Sequence, residues 1–480
     1  MAGGTWSPTE AKIRPGFYMN FVAAALAAIQ PGARGIVAIP VKANWGPVKQ
    51  IVEITDEKGL TDTFGADITG SFTAYNSIRF ALLGGAKTVL GYRLADGSAA
   101  KASKTLADGA ATSVLTLTTK YETTRPFKAT TRDNPVDPTN KQDLVLYEDT
   151  TQLYVFTFAK GASVVDNAVA AVNGDANNKW ITAIKVAAGN GIIANVTSQA
   201  FTGGNAGVAG ITNTDYVNAM SAFETRRFNF FALDGATDPS LQTSVKAWVK
   251  RLRNEGKGIV AVMGGSVADD QDPAAGNSRS TGFNYEGVIN VTTGAVLDGT
   301  SYSSAQVACW VAGKVAGQRL NESLTYASTP FDDVTKRYTN NEVIAALQAG
   351  SLVLVHDGEK VIIEQGINSL TSLRTGQNNQ WKKVRTIRVM DAINDDLLKT
   401  AQDNYIGKVN NNDDGKVALI SACKQYMETL LNGGLIEKDF LVYLDPAYHP
   451  ALAAPDEVYL KWEARIVDSM EKIFGTFVVQ

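Results

Sequence analysis

The side chains best equipped for chemistry are few and scattered. Two cysteines, Cys309 and Cys423, and two histidines, His356 and His449, lie far apart in a chain of 480 residues. Neither pair can form a CxxC knuckle or a histidine-rich metal site, and a Ser/His/Asp mechanism would have to recruit a histidine with no nucleophile nearby. Both cysteines read as small apolar core residues and both histidines as structural. Asp234 has the best address among the carboxylates: it closes a strand, where α/β folds place catalytic acids, and Asp238 follows four residues later. A turn and an N-cap ahead of a helix containing Trp248 is the commoner use of such residues. A cytoplasmic α/β enzyme working through Asp234 therefore stands as the alternative reading.

Other constellations fail on spacing. Asp269, Asp270 and Asp272 could collect a divalent cation, but their Pro, Ala, Gly and Asn surroundings suit a solvated loop. Asn410, Asn412, Asp414 and Gly415 open like a calcium loop, yet the twelfth position is Ser421 where a bidentate Glu is required. A turn with Asp413 or Asp414 capping the next helix fits these residues better. There is no GxxxxGK[ST], and the Gly-Gly-Asn-Ala-Gly run at 203–207 neither follows a strand nor opens a helix, so no cofactor is expected. One charge pattern remains: Arg374, Lys382, Lys383, Arg385 and Arg388 occur with no acidic residue between Gly366 and Met390. They form either a solvated face or a docking surface for an acidic partner.

The elements around these residues alternate. Apolar runs at 35–41, 87–94, 228–233, 259–263 and 287–291 read as strands, and helical spacing recurs over 72–84, 241–252 and 304–320. This alternation favours an α/β layer with a mostly parallel sheet. Between residues 95 and 210 the pattern changes to Thr-, Ala-, Gly- and Asn-rich β-type runs, an all-β domain inserted into a loop of the α/β body formed by 22–94 and 211–345. An α+β unit follows over 346–455, with a hairpin turning at Asp357-Gly358, a strand over 384–389 and two helices. Ile13, Phe17, Met19 and Phe21 alternate near the start, within 1–21; Val458, Leu460, Trp462 and Ile466 alternate near the end, within 456–480, where Phe474 begins a last short apolar run. Both ends read as strands: edges of the chain's own sheets, or arms that pair with neighbouring subunits.

Composition narrows the class. A hydrophobic content of 45% with 43 glycines supports buried cores, and the length suggests roughly three domains. With 45 basic and 48 acidic residues, a net charge of −3 argues against direct nucleic-acid binding. The apolar stretch at 21–29 is too short and alanine-rich to span a bilayer, so folding in a cytoplasm without membrane insertion is expected.

Several ordered segments resemble one family. IRPGFYMN at 13–20, ARGIVAIPVKANWGP at 33–47, RFALLGGAKTVLGYRL at 79–94, AGQRLNESLTY at 316–326, IEQGINSLT at 363–371 and VRTIRVMDAINDD at 384–396 are similar to the tail sheath proteins of contractile phages and phage-like particles of Gram-positive bacteria. The resemblance covers nearly everything except 95–210. It implies a structural polymer and not a catalyst: hexameric rings stacked around an inner tail tube, starting at a baseplate and ending at a tail terminator, that shorten to drive the tube through a cell envelope. It further implies that both terminal arms add strands to sheets of neighbouring subunits, that 346–455 faces the tube with the basic run as a candidate contact, and that the β insert lies outside. The expected location is a virion tail or phage-like particle assembled in the host cytoplasm.

Overall fold

Strands buried on both faces must be apolar throughout, and the five runs that read as continuous in the sequence form the middle of a seven-stranded sheet. The computed structural model describes residues 34–479 and, ahead of them, only the backbone of Gly3–Gly4 and Phe17–Tyr18, a two-residue parallel pair. Of the N-terminal arm, Ile13, Met19 and Phe21 lie outside the described residues. The sheet order is Ser351–Leu352, Val288–Val291, Val260–Met263, Phe230–Ala232, Ile36–Val41, Thr88–Arg93 and Ile51–Ile54. All neighbours are parallel except the last, where Ile51–Ile54 runs against Thr88–Arg93.

Alternation along the Ile36–Val41 strand assigns its side chains to two cores. Val37, Ile39 and Val41 join the core containing helices Ala74–Gly84 and Ser304–Gly317, whereas Ala38 joins the one with helices Asn213–Phe223 and Pro239–Asn254. The first two helices cross almost backbone to backbone. A Cβ on Gly313 would lie 2.0 Å from the Ala81 carbonyl oxygen, and one on Gly84 2.4 Å from that of Trp310.

The insert is a sandwich of a four-stranded and a three-stranded antiparallel sheet. It is not all-β as expected: Val164–Asn173 is a helix, because Val164, Val165, Ala168 and Val172 recur at helical spacing and fill the sandwich core. That core also takes a side chain from the body. Trp45 is buried against Tyr121 and Phe127, at ring separations of 5.2 and 5.5 Å, with the Arg125 guanidinium 4.9 Å from its ring. The neighbouring Asn44 Oδ1 accepts from the Thr124 N–H at 2.8 Å. Arg93, fully buried at the stem, donates to the carbonyls of Gly46 at 2.7 Å, Glu122 at 2.8 Å and Ala206 at 3.2 Å, tying body to insert at both chain crossings.

The C-terminal region departs from expectation in two places. Residues 351–363, attached by the sequence reading to the C-terminal unit, pack with the body: Leu352 extends the sheet, and Leu354, Val361 and Ile363 enter its core. Val384–Val389, expected as a strand for its β-branched residues, is the first part of a single helix, Val384–Thr400. Tertiary packing overrides propensity here. Val384 and Ile387 enter the body core while Val389 enters a separate core with Tyr426, Met427 and Leu430 of helix Asp413–Asn432, so the helix is gripped from two sides. Beyond it, Leu441–Leu444 and Leu460–Glu463 pair as an antiparallel two-stranded sheet.

Candidate assembly surfaces

The residues with catalytic or ligating potential are occupied in the fold. Asp234 is buried, and its two oxygens accept from Thr73 Oγ1 at 2.6 Å and Tyr216 Oη at 2.8 Å, with Lys42 Nζ at 3.8 Å. This closes the face that a catalytic acid would need. Burial, followed by the charge of Asp234, pushes the Tyr216 hydroxyl far above its ordinary range and Cys309 to about 12. Asp238 caps helix Pro239–Asn254 through the Leu241 N–H. Asp269 forms a capping box with Ser266, Asp272 caps Pro273–Phe283, and Asp270 turns inward to accept from the Ser304 N–H at 2.7 Å. Among the described residues no group of His, Cys, Asp and Glu is arranged to hold a metal. His356 Nδ1 accepts from the Gly358 N–H and His449 Nε2 from the Tyr459 N–H, both structural bonds. The glycine run at 203–207 serves close approach: a Cβ on Gly204 would meet the Thr123 carbonyl oxygen at 2.2 Å.

The basic run does not form one face. Arg374 projects from a loop, about half exposed, and pairs with Glu286 at 2.5 Å. Lys382 is half-buried, and Lys383 pairs with Glu471 of the C-terminal segment. Arg385 and Arg388, three apart and so on one side of helix Val384–Thr400, both point inward. Arg388 donates to the carbonyls of Gln318 at 2.5 Å and Arg319 at 3.2 Å, and burial lowers its guanidinium to about 10. Burial also lowers Arg385, whose Nε has no hydrogen-bond partner in the structure. A linear count of charges could not reveal this, because the strand assumed for 384–389 would have put successive residues on opposite faces.

The C-terminal arm residues are brought together more openly. Leu460 and Trp462 belong to the Leu460–Glu463 strand, which pairs Leu460 with Leu444 and Trp462 with Val442; Val458 precedes it, and Ile466 bridges to Ile436. Each strand of this pair has one edge with no sheet partner among the described residues, and Leu441 and Trp462 stay 54% and 39% exposed. After Ile466 the chain takes no further strand; Ile473, Phe474, Phe477, Val478 and Val479 are all at least 74% exposed. An open two-stranded edge is unstable alone and is a template for strand addition.

Known proteins match this layout. Four family models tile the chain: the tail sheath protein Gp18 domain III N-terminal region over 34–94, the phage tail sheath protein beta-sandwich domain over 95–206, the phage tail sheath protein central domain over 209–369 and the phage tail sheath C-terminal domain over 376–480. The phage-like element PBSX protein XkdK of Bacillus subtilis is 30% identical over 90% of this chain and 91% of its own length. The crystal structure of a sheath tail protein from Desulfitobacterium hafniense superposes with a TM-score of 0.72 at 32% identity, covering 94% of this chain and 100% of that one. The contracted helical sheath of the anti-feeding prophage shares the fold at 13% identity, with a TM-score of 0.54 over 98% of this chain and 100% of that one. With a parallel-sheet body, a sandwich inserted where the family carries one, and relatives that align nearly end to end, the chain belongs to the phage tail sheath protein family.

Proposed function

We propose that this sheath subunit polymerises as stacked hexameric rings around an inner tail tube, between a baseplate and a tail terminator, and contracts to drive the tube through the target envelope. One observation supports this reading above the others: the Leu441–Leu444 and Leu460–Glu463 pair, with open edges and exposed Leu441 and Trp462, is followed by a projecting apolar tail. Strands from neighbouring copies would complete that sheet, each main-chain hydrogen bond contributing about 1 kcal/mol net. The contact is heterologous, so it propagates into a helix. Contraction then needs no nucleotide, because the extended lattice is a metastable state loaded during assembly. The role is mechanical and not catalytic, and the place of action is a virion tail or phage-like particle assembled in the host cytoplasm. Arg374 and Lys382 are the members of the basic run available for tube or intersubunit contact, with the insert facing outward.

Negative-stain electron microscopy of the purified chain, with and without its tube protein, tests the proposal. Tubes or stacked rings are expected from the full chain, and soluble monomers after deletion of 1–21 or of 456–480. Normal sheaths from either truncated chain would overturn the arm mechanism. Reversing the charge of Arg374 and Lys382 together is expected to lower assembly on the tube, and unchanged assembly would remove them from the contact.

A further inference from the structure

After the Leu460–Glu463 strand, the chain runs back across its own fold as a strap. Arg465 accepts from the Glu437 N–H at 2.8 Å, Ile466 bridges to Ile436, and the Val467 N–H donates to Leu435 at 3.0 Å. The strap ends at Glu471, whose side chain is only 11% exposed. Its carboxylate gathers partners from three places: Thr325 Oγ1 at 2.8 Å, Gln365 Nε2 at 2.7 Å, and Lys383 Nζ at the entrance to helix Val384–Thr400. Thr325 Oγ1 also accepts from the Gly366 N–H at 3.0 Å, which fixes the donor's orientation.

Immediately beyond this ordered point the character inverts. Ile473 is 85% exposed and Phe474 91%, and nothing among the described residues covers them. A carboxylate with three partners is therefore placed two residues before an apolar segment that stays exposed. What it controls is the path of the strap, because without this carboxylate the strap keeps the Ile436–Ile466 bridge, made by those two main-chain bonds, and the packing of Ile466, all of it upstream of residue 468.

We infer that Glu471 is a clasp that holds the C-terminal strap on the chain's own body and restrains its apolar end from a second copy of this chain, so that opening the clasp makes a subunit competent to join the lattice. The inference rests on the proposed strand exchange between subunits. Burial opposes the charge on Glu471, but the hydrogen bonds from Lys383, Gln365 and Thr325 outweigh it and hold the carboxyl below the ordinary glutamate range. The clasp is thus closed at neutral pH and opens only in acid, below that range. In assembly, its opening is driven by the neighbouring copy.

The test uses the full chain carrying Glu471→Ala, and the charge swap Glu471→Lys with Lys383→Glu. Hydrogen exchange over 464–472 and chymotryptic cleavage after Phe474 report the clasp in the monomer; light scattering reports the lag before polymerisation. Glu471→Ala is expected to speed both exchange and cleavage at least tenfold and to shorten the lag by a similar factor, with the swap restoring part of each. Unchanged exchange would show that Glu471 does not hold the strap, and faster exchange with an unchanged or longer lag would show that it does not restrain assembly. Deletion of 473–480 separates the two ideas: normal polymers from that chain would sink the docking role of the tail while leaving the exchange result intact.

Discussion

Two buried residues show how burial sets charge. Asp270 sits at the N-terminus of helix Ser304–Gly317, an environment that favours a carboxylate, yet burial wins and raises it to about 6. Its other oxygen, Oδ1, has no hydrogen-bond partner in the structure. A folded-state value raised above the unfolded one means that stability is fully present below the unfolded value of about 3.9 and is lost as pH rises through the folded value. Asp270 should thus make the protein less stable at pH 7 than at pH 5 by about 1 kcal/mol, part of a total of about 2 to 3 kcal/mol lost between pH 3 and pH 7. Asp270→Asn is expected to flatten the Tm profile between those values, and an unchanged slope would show that other groups set it. Arg93 is the converse, a fully buried guanidinium lowered to about 10 by burial and kept by three carbonyls. Lysine cannot reach all three in a planar fork. Arg93→Lys is expected to cost about 3 kcal/mol in chemical denaturation, because a charge and several acceptors lose their partners together.

At the scale of elements, the close crossing of helices Ala74–Gly84 and Ser304–Gly317 depends on glycine. Gly313→Ala would place a methyl group against the Ala81 carbonyl and is expected to cost about 1 to 3 kcal/mol through forced separation, read as a lower Tm. The central sheet was legible beforehand because strands covered on both faces are apolar at every position, as in Ile36–Val41 and Val260–Met263. Short elements with weaker patterns were not, among them the edge strand Ile51–Ile54, helix Glu57–Phe64 and helix Val164–Asn173. The segment Val384–Val389 misled for a specific reason: its Val, Thr and Ile content favours strands, and only the two cores that grip it decide the matter. The same helix turns Arg385 and Arg388 inward, which the order of charges along the chain does not show. The C-terminal strand, by contrast, followed from its alternation, whereas the clasp at Glu471 joins residues 88 to 146 positions apart and leaves no local signal.

For the whole molecule, the body and the insert form one mechanical unit. Trp45 fills the sandwich core from outside it, so truncating this side chain opens a cavity at the seam and not inside either domain. Trp45→Ala is expected to cost about 3 to 5 kcal/mol and to expose the stem near residues 95 and 207 to protease; a stem that stays protected would mean that Arg93 and Asn44 suffice. The joint between body and C-terminal helix adds ion pairs to the apolar grip on Val384 and Ile387. Arg253 pairs with Asp391 at 2.7 and 2.8 Å, and Arg34 pairs with Asp396, which also accepts from Tyr426. The stem itself has a practical corollary. The outgoing and returning chains lie side by side there, with the Asp96 N–H donating to Gly207 at 2.7 Å and the Ala100 N–H to Asn205 at 2.8 Å. The sandwich therefore enters and leaves through a doorway two strands wide, and a foreign domain with adjacent termini could be grafted there in its place, if it also supplied a pocket for Trp45.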